Sequence, residues 1–405
     1  MKIIFRDRLD REFSLEAEPG EKISEFLRRK LIPIDSVITR RNGNVVSERS
    51  SRFSIEDDYT IDMVRAYHLA DFVSGLNSTE SLGGPDLHAE AYYDKQALWF
   101  YADGSSEYRT DQFTSESYSS LIETNFAQGF SYSVSQPEEP LALALSGGRD
   151  SLALLYLLSR TRTRTGVGPL TSITVQTIAV DHDVQIAIEA CEGLEIDQSI
   201  VHSDELAEYF SLNVSVEAAL QRILQTYGQD SAIAACHMFM RTGVERRARE
   251  LGIKQVGFGL HNEDLLASLI RSLVSGISFG TSMYHKRWGK FDYVYPLWSI
   301  SKKELTLYLE CVAPPFHSSQ GSPSLFDRGG HGRDIQYFVG DSIQTIWPGF
   351  SLHAFSGYER MMKSFIDLRK YEECSVCGGT YAAIEDYEMN GTCQLCKFTE
   401  QLGCR

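Results

Sequence analysis

Residues 141–160, LALALSGGRDSLALLYLLSR, decide the fold of this chain. An apolar run is followed by a turn that contains Gly147 and Gly148, and then by a second apolar run rich in leucine. This pattern predicts a buried β-strand, a glycine turn and an α-helix. Backbone N–H groups and the helix dipole favour an anion at such a helix start. We therefore predict a phosphate-binding loop over residues 146–151.

The loop sequence Ser-Gly-Gly-Arg-Asp-Ser differs from the GxxxxGK[ST] loop of the common nucleotide hydrolases, which places a lysine on the terminal phosphates. It resembles the signature of the PP-loop (N-type) ATP pyrophosphatases, which cleave ATP between the α- and β-phosphates and leave AMP on a substrate. The resemblance implies that ATP is bound by the whole loop: Ser146, Gly147, Gly148, Arg149, Asp150 and Ser151. It also implies that Asp150 is catalytic and positions Mg²⁺ or the pyrophosphate, because a carboxylate beside a triphosphate needs a cation between them.

From Leu141 onward, strand patterns alternate with helix patterns, which predicts an α/β fold with a doubly wound parallel sheet. The predicted strands are Leu141 to Leu145, Ile173 to Val180, Ser199 to His202, Gln255 to Gly259 and Tyr293 to Trp298. A helix after the last strand is predicted to begin with a capping box formed by Ser301 and Glu304. The resemblance implies the same architecture, that of the adenine nucleotide α-hydrolases.

Two residues at the end of the second predicted strand, Val180 and Asp181, are expected beside the loop. Ligands of doubly wound folds bind at the carboxyl edge of the sheet, where both strands end. In the relatives, this strand end frames the adenine and the ribose of the nucleotide. An acidic residue at the end of a strand can also simply cap the following helix, so both interpretations stay open.

Residues 235–273, ACHMFMRTGVERRARELGIKQVGFGLHNEDLLASLIRSL, indicate the branch of the family. They resemble the tRNA 2-thiolation enzymes, in which a Cys-x-x-Cys opens a helix and a later strand delivers a Gly-His-Asn-x-Asp motif. The resemblance implies that Gly259, His261 and Asn262 belong to the nucleotide site, and that Asp264 is catalytic and holds the substrate or magnesium. Leu260 stands where the family has its glycine. The whole resemblance spans roughly residues 117 to 399.

Many members of this branch hold a [4Fe-4S] cluster on three cysteines, two from the Cys-x-x-Cys and one from the segment ahead of the final helix. Here Cys236 matches the first cysteine, Phe239 replaces the second, and residues 314–334 contain no cysteine. One thiolate cannot hold a cubane cluster, so we expect no [4Fe-4S] cluster at the usual family site. Cys236 is then either a catalytic persulfide carrier or nucleophile, activated at a helix start near Arg241, or a small buried core residue.

Two Cys-x-x-Cys pairs near the carboxyl end are separated by fifteen residues, a spacing typical of a tetrahedral zinc site. We predict a C-terminal zinc ribbon with Zn²⁺ bound by Cys374, Cys377, Cys393 and Cys396. The thiolation enzymes carry a similar ribbon at the same end. Its predicted role is structural, and docking of tRNA is a second interpretation that stays open.

Residues 1–68 show strand and helix patterns that predict a separate small α/β unit. Within it, ITRRNGNVVSERSSRFSIEDDYTIDMVRA resembles the β-grasp (ubiquitin-like) sulfur carriers of thiamin and molybdopterin synthesis. Those carriers end in Gly-Gly, whereas this chain continues through Tyr67, so the unit cannot carry sulfur as a thiocarboxylate. We predict four parts: a β-grasp domain (1–68), a linker with a small hairpin (69–116), the PP-loop domain (117–370) and the zinc ribbon (371–405).

The composition is that of a folded globular protein, with 42% apolar and 23% charged residues over 405 positions. A formal charge of −16 argues against a surface that is basic all over. Two local clusters of basic residues, within 241–254 and 285–303, either meet phosphates or form solvated faces. The apolar runs are too short to span a membrane, and the paired cysteines indicate metal binding in a reducing compartment, so we predict a cytoplasmic protein.

These observations predict an ATP-dependent sulfurtransferase that adenylates an acceptor carbonyl, with a tRNA pyrimidine C2 as the expected acceptor. The implied cofactors are ATP, Mg²⁺ and Zn²⁺. The implied partners are tRNA and a sulfur donor or sulfur-carrier protein, and a homodimer is possible. Two alternatives stay open: a PP-loop ligase or thiolase that acts on a small molecule, and an ATP-binding scaffold of a sulfur-relay system.

Overall fold

The computed structural model describes residues 1–6, 12–64, 77–78, 93–100, 106–177, 182–275, 280, 282–313, 331–363, 370–383 and 391–405. Within these residues, the strands form one sheet of eight, one of six and a two-stranded ribbon. The strands are β1 (Lys2–Arg6), β2 (Glu12–Glu16), β3 (Val37–Arg41), β4 (Asn44–Val46), β5 (Tyr59–Met63), β6 (Asn77–Ser78), β7 (Tyr93–Phe100), β8 (Ser106–Phe113), β9 (Leu141–Ala144), β10 (Leu170–Val175), β11 (Asp197–Val201), β12 (Gln255–Phe258), β13 (His285–Trp288), β14 (Phe291–Val294), β15 (Lys370–Glu373) and β16 (Thr380–Ala383).

The helices are α1 (Ile23–Arg29), α2 (Ser115–Ser133), α3 (Arg149–Arg160), α4 (Arg162–Thr165), α5 (His182–Gly193), α6 (Ser203–Tyr209), α7 (Val216–Tyr227), α8 (Gln229–Glu250), α9 (Asn262–Ser275), α10 (Lys302–Val312), α11 (His331–Ile346), α12 (Phe350–Met362) and α13 (Gln394–Gln401). A short 3₁₀ turn covers Ile34–Ser36. In the described part of the chain, no helix combines the length and the apolar character that a membrane span requires.

The eight-stranded sheet has the order β6-β2-β1-β5-β3-β4-β7-β8, and β1 runs parallel to β5 within it. Helix α1 buries Ile23, Phe26 and Leu27 in the same core cluster as Ile3 and Phe5 of β1. Each fully buried side chain of this kind stabilises the fold by about 1.5–3 kcal/mol. The N-terminal residues therefore have a hydrophobic core of their own.

The hairpin formed by β7 and β8 continues this N-terminal sheet. Strand β4 pairs with β7 in parallel through Val45 and Tyr93, and β7 pairs with β8 antiparallel from Tyr93↔Phe113 to Phe100↔Ser106. The hairpin was predicted to lie in a linker over residues 69–116. The backbone pairing instead adds it to the sheet of the preceding unit, because β4 offers an edge with unpaired N–H and C=O groups.

The six-stranded sheet has the order β11-β10-β9-β12-β14-β13, and all of its neighbouring strands are parallel except β13 and β14. One face carries a core in which Leu143 lies with Leu154 of α3 and Tyr308 of α10. The other face carries a core in which Ala142 lies with Phe239 of α8. The predicted α/β fold with a largely parallel sheet and helices on both faces is confirmed.

The strand bounds differ from the prediction in several places. Strand β14 covers Phe291–Val294 where Tyr293 to Trp298 was predicted, and β11 begins at Asp197, two residues before its predicted start. Strand β10 begins at Leu170, three residues before the predicted start, and residues 178–181 at its expected end lie outside the described part. Strand β13 was not predicted, since His-Lys-Arg-Trp has no apolar alternation. The predicted capping box is confirmed, because Ser301 Oγ accepts from the Glu304 N–H while the Glu304 carboxylate accepts from the Ser301 N–H.

The N-terminal sheet is joined to α10 by two charged pairs. Arg40 lies 2.5 Å from Glu310 Oε1, and the Lys303 ammonium lies 2.9 Å from both carboxylate oxygens of Glu48. The side chains of Arg40, Glu310 and Glu48 are each less than one-tenth exposed. Loss of one partner from such a pair would leave a charge buried without compensation.

Candidate active site

The loop after β9 begins the helix α3, as the glycine turn predicted. Gly148 is the residue before the first helical position, and Gly147 has a φ of +78°. A Cβ atom at position 147 would lie 1.8 Å from the carbonyl oxygen of Asp183, which no side chain could tolerate. Only glycine therefore fits at position 147, because the backbone of Asp183 occupies the space that a side chain would need.

Two serine hydroxyls fix the shape of the loop. Ser151 Oγ accepts a hydrogen bond from the Ser146 N–H at 3.2 Å and donates to the Gly148 carbonyl at 2.9 Å. Ser146 Oγ accepts from the Gly148 N–H at 3.3 Å and lies 3.1 Å from Ser151 Oγ. These bonds hold a compact turn at the amino end of α3, where the helix dipole favours a bound anion.

Asp150 is the charged centre of the loop. Its Oδ2 atom lies 2.6 Å from the ammonium of Lys302 and 3.8 Å from Nε2 of His261. Burial acts to raise the pKa of this carboxyl, but Lys302 and His261 outweigh it and hold the pKa well below its usual range. The other oxygen, Oδ1, is buried and accepts no hydrogen bond from the described residues. Asp150 is thus ionised, with one oxygen left for a ligand or a cation.

His261 links Asp150 to two further carboxylates. Its Nδ1 atom lies 2.9 Å from Glu263, its Nε2 atom lies 3.2 Å from Asp264, and the ring is buried. Glu263 also accepts from the backbone N–H of Lys302 at 3.0 Å, and Tyr337 donates to Oδ1 of Asp264. The carboxylates and the imidazole therefore form one connected network beneath the loop.

The end of β12 touches the loop directly. A Cβ atom added at Gly259 would lie 3.1 Å from the backbone of Ser151, so a larger residue would press on the loop. The side chain of Asn262 donates a hydrogen bond to the Trp298 carbonyl at 2.9 Å and accepts one from Gln344 at 3.3 Å. The predicted site residues on the loop and those between Gly259 and Asp264 are brought together, while Val180 and Asp181 lie outside the described residues.

A cavity of about 510 Å³ opens beside the loop, between the sheet and α8. Its loop side is lined by Ser146, Gly148, Asp150, Ser151, Gly259 and Asp264. Its wall on α8 is lined by His237, Met238, Met240, Arg241 and Val244. A third wall comes from β13, β14 and the residue after β14, with Lys286, Trp288, Tyr293 and Tyr295. The size is that of a small-molecule site.

Sequence reasoning missed the ion pair of Lys302 with Asp150 and the aromatic wall of the cavity. The available signal for Lys302 was its position directly after Ser301, which caps α10. That helix begins at the same sheet edge as the loop, so its first residues were candidates for contact with Asp150. Tyr337 had no signal at all, because its helix α11 is distant in sequence from every motif. Trp288 lies in β13, a strand that the sequence pattern did not reveal, whereas Tyr293 and Tyr295 fall in the predicted strand Tyr293 to Trp298 but belong to none of the motifs.

Cys236 lies away from a helix start. Helix α8 begins at Gln229, so Cys236 is almost two turns inside it, and the residue is partly buried against the core. It is not among the described residues that line the cavity, although its neighbours His237 and Met238 are. Phe239 is fully buried and packs edge-on against Phe210 with ring centres 4.5 Å apart. The role of Cys236 stays a prediction.

The arginines of α8 contact the C-terminal ribbon. The guanidinium groups of Arg241, Arg246 and Arg249 donate to the carbonyls of Thr380, Cys377 and Gly378 at 3.2–3.3 Å. This part of the predicted basic cluster is therefore engaged within the chain. The engagement attaches the ribbon to the helix that walls the cavity.

Thr380 of β16 is the point at which the ribbon reaches the cavity wall. Its carbonyl accepts from Trp288 Nε1 at 3.2 Å, and its N–H donates to Glu245 at 2.8 Å. Glu245 is fully buried and also accepts from the hydroxyl of Tyr293. Two residues of the aromatic wall are thus held, directly or through Glu245, by one residue of the ribbon.

The four cysteines of the ribbon come together as predicted from their spacing. The Sγ atoms of Cys374 and Cys396 lie 3.8 Å apart, as do those of Cys377 and Cys393. All four Sγ atoms lie within 4.8 Å of one another, and all four residues are buried. Buried thiolates in such a group suit either a single tetrahedral ion or an iron–sulfur centre.

Residues 119–317 match the family model of the PP-loop domain, and this range contains the whole loop and its network. These residues are a PP-loop domain. The family suggested by the loop signature is thereby confirmed. Over 291 residues, the chain is 24% identical to the tRNA 2-thiolation protein NcsA of Haloferax volcanii, a match that covers 66% of this chain and 84% of that protein.

A second relative is the cytoplasmic tRNA 2-thiolation protein 1 of Aspergillus niger, 23% identical over 66% of this chain and 72% of that protein. Among solved structures, the PP-loop chain is similar to the U34-tRNA thiolase NcsA of Methanococcus maripaludis with its [4Fe-4S] cluster. The TM-score is 0.55 at 20% identity, over 72% of this chain and 91% of the other. This similarity supports the shared fold.

The prediction that excluded a [4Fe-4S] cluster is wrong. The solved NcsA structure carries such a cluster, and this chain assembles four buried cysteines of a kind that can hold one. The prediction failed because it counted only the cysteines near Cys236 and assigned the ribbon cysteines to zinc on spacing alone. Thiolate spacing along a sequence does not distinguish zinc from iron.

Proposed function

We propose that this protein is an ATP-dependent sulfurtransferase that activates a carbonyl of a tRNA pyrimidine, at C2, and replaces its oxygen by sulfur. One observation carries the proposal. The phosphate loop, the ionised Asp150 and the His261 network lie together at one end of a cavity large enough for a nucleotide and an acceptor base. The names of both relatives and of the similar structure, all tRNA thiolation proteins, support this choice of acceptor.

The proposed reaction has two steps. The carbonyl oxygen of the acceptor attacks the α-phosphorus of ATP, the bond between the α-phosphorus and the bridging oxygen breaks, and pyrophosphate leaves with the electron pair. Sulfur at the level of hydrosulfide then attacks the activated carbon. AMP leaves with the former carbonyl oxygen, and loss of the sulfur-bound proton gives the thiocarbonyl.

The residues of the chain take distinct parts in this scheme. Backbone N–H groups of the loop and the hydroxyls of Ser146 and Ser151 bind the phosphates, with the dipole of α3 behind them. Asp150 and Asp264 would hold the Mg²⁺ that accompanies the pyrophosphate, since carboxylate oxygens are its preferred protein ligands, and the ion would offset negative charge on the leaving group. Lys302 adds a fixed positive charge next to the loop, where negative charge develops on the leaving group.

The partners proposed for this chain are tRNA and a sulfur donor. Sulfur donation requires a second protein or a small thiol, because no described residue of the cavity lining is a cysteine. Cys236, with its neighbours on the cavity wall, is the proposed place at which a persulfide would be received; two equivalents of an external thiol would reduce it, releasing hydrosulfide for the attack and leaving the thiols as a disulfide. A homodimer and a cytoplasmic location stay predictions.

We also propose the division of the chain into a β-grasp unit, a PP-loop domain and a metal ribbon. The order β2-β1-β5-β3-β4, the parallel pair β1 and β5, and the helix α1 packed on the sheet support the β-grasp assignment. The four buried cysteines support a metal centre in residues 371–405. Bound there, the metal would crosslink the two halves of the ribbon.

Pyrophosphate release measured with unthiolated tRNA transcripts, with small carbonyl acceptors and with neither tests the proposed function. We expect release that depends on tRNA and is abolished by Asp150→Ala. Release with a small acceptor alone would instead indicate a ligase or a small-molecule thiolase. Normal thionucleoside content in cells that lack the protein would contradict the tRNA proposal. Unchanged AMP formation in Asp150→Ala would contradict the role of the loop.

A further inference from the structure

The cavity has an aromatic wall, defined here as Trp288, Tyr293 and Tyr295, which none of the motifs accounts for. Two cations lie against it. The Lys286 ammonium lies 4.3 Å from the ring centre of Trp288, and the Arg241 guanidinium carbon lies 4.7 Å from the same centre. All of these residues line the cavity, so the wall presents ring surface and positive charge to the same space.

The strand order places the aromatic wall on one side of the loop and a different surface on the opposite side. Strand β9, which leads into the loop, has β10 on one side and β12, then β14 and β13, on the other. Ala144, Leu145, Ile173 and Val175 line the cavity on the β9 and β10 side and offer an apolar surface without charge. Among the described residues that line the cavity, those on the β9 and β10 side of the loop are therefore apolar, and those on the β14 and β13 side combine rings with cations.

We propose that the aromatic wall binds the acceptor nucleotide, with its base against the rings and its backbone phosphate near Lys286. The inference rests on the proposed function and assigns its acceptor to a place in the cavity. A nucleotide that belongs to an RNA chain brings a base and a phosphodiester into the site together. Stacking on aromatic rings combined with a nearby cation is the usual way in which proteins hold an unstacked RNA base.

The adenine of ATP fits the opposite side for the same physical reasons. Adenine is uncharged, so the apolar surface from β9 and β10 is sufficient to bind the base. The phosphates of ATP are bound separately by the loop. With adenine on the β10 side and the acceptor on the β14 side, the α-phosphorus lies between them over the loop. An in-line displacement further requires that the acceptor carbonyl lies opposite the bond between the α-phosphorus and the leaving pyrophosphate.

Lys286 is the best residue for a test. Arg241 also donates to the Thr380 carbonyl and lies 3.4 Å from Glu245, so its removal would disturb the ribbon as well as the wall. Lys286 has a matched control in the next residue. Arg287 is more than half exposed, binds both oxygens of Asp292 at 2.7 Å and does not line the cavity.

The experiment compares Lys286→Gln with Arg287→Gln in the full-length protein. Binding of unthiolated tRNA transcripts is measured at several salt concentrations with a non-cleavable ATP analogue present, and binding of the analogue is measured separately. We expect Lys286→Gln to weaken tRNA binding on the order of fivefold to tenfold and to reduce the slope of log K against log salt by about 0.7, the value for one contact to single-stranded phosphate. Arg287→Gln and the binding of the analogue are expected to be unchanged.

Three outcomes would overturn the inference. If Lys286→Gln binds tRNA with the affinity and salt slope of Arg287→Gln, the wall does not hold the acceptor. If Lys286→Gln weakens the ATP analogue by the same factor as tRNA, the wall belongs to the ATP site. If the unmodified protein neither binds tRNA nor releases pyrophosphate in response to it, the proposed function fails, and the inference fails with it.

Discussion

Asp150 keeps its charge at a site where burial opposes it, because Lys302 and His261 lie beside it. While Oδ2 of Asp150 takes part in the ion pair, its Oδ1 atom accepts no hydrogen bond from the described residues. The sequence indicated the carboxylate through the loop motif. It could not indicate Lys302 as the partner, because contacts between residues so distant in sequence depend on the packing of α10 against α3.

Asp150→Asn is expected to change the pH dependence of stability. A carboxyl whose pKa is lower in the folded than in the unfolded chain stabilises the fold above its unfolded pKa, roughly 4, and this stabilisation is lost as the pH falls further. The free energy of unfolding of the unmodified protein, relative to Asp150→Asn, should therefore decrease between pH 7 and pH 3. Urea unfolding at several pH values measures this. The exposed Asp197→Asn serves as the control, and a difference that does not vary with pH would contradict the prediction.

Gly147→Ala is expected to disable the phosphate loop. The backbone at position 147 has positive φ, and the added methyl would lie 1.8 Å from the Asp183 carbonyl oxygen. The control is Gly166→Ala, whose φ is +67° and whose Cβ would meet nothing within 4 Å. Both changes carry the backbone cost of about 1–2 kcal/mol for a left-handed residue. Only Gly147→Ala should also lose binding of a non-cleavable ATP analogue, measured by calorimetry; equal affinities in the two variants would contradict this.

At the scale of elements, the ribbon and the β13–β14 hairpin act together. Thr380 of β16 binds Trp288 directly and Tyr293 through Glu245, so the C-terminal ribbon supports the cavity wall. The sequence predicted both Cys-x-x-Cys pairs, because their spacing is local. It did not predict their contact with the cavity, since β13 has no apolar alternation and the arginines of α8 looked equally suited to solvent.

Cys377→Ser is expected to loosen the cavity wall as well as the ribbon. The variant should bind less metal, measured as iron, zinc and acid-labile sulfide per chain, because one of four converging thiolates is lost. Hydrogen exchange of residues 285–294 should become faster, since Thr380 no longer has a fixed position. Cys404→Ser is the control: this cysteine is buried but lies outside the four-cysteine group. Metal loss without faster exchange in the hairpin would show that the ribbon and the wall are independent.

At the scale of the whole molecule, the N-terminal sheet contacts the helix that also serves the active site. Lys303 of α10 binds Glu48 in the turn after β4, while the adjacent Lys302 binds Asp150 in the loop. The sequence predicted both units and much of their secondary structure, because each has its own apolar periodicity. The contact between the two units could not be predicted from the sequence, since buried charged pairs have no periodic signature.

We expect Lys303→Gln mainly to lower stability and Lys302→Gln mainly to slow catalysis. Lys303→Gln leaves the buried Glu48 without its cation and should lower the free energy of unfolding by on the order of 3 kcal/mol. Pyrophosphate release should stay close to that of the unmodified protein. Lys302→Gln should reduce the rate of release about a hundredfold, the usual effect of removing one charge-stabilising group. Equal rates in the two variants, measured at a temperature where both are folded, would contradict the separation of roles.

The two adjacent lysines of α10 reach their partners only when the helix has one particular rotation about its own axis. Neighbouring residues on an α-helix point in directions about 100° apart, so one helix turns one lysine toward the loop and the next toward the N-terminal sheet. Insertion of a single residue between Lys302 and Lys303 would turn one lysine by about 100° relative to the other and separate it from its partner. The first turn of α10 therefore fixes the relative orientation of the two lysines, and among related chains we expect no insertion or deletion between them.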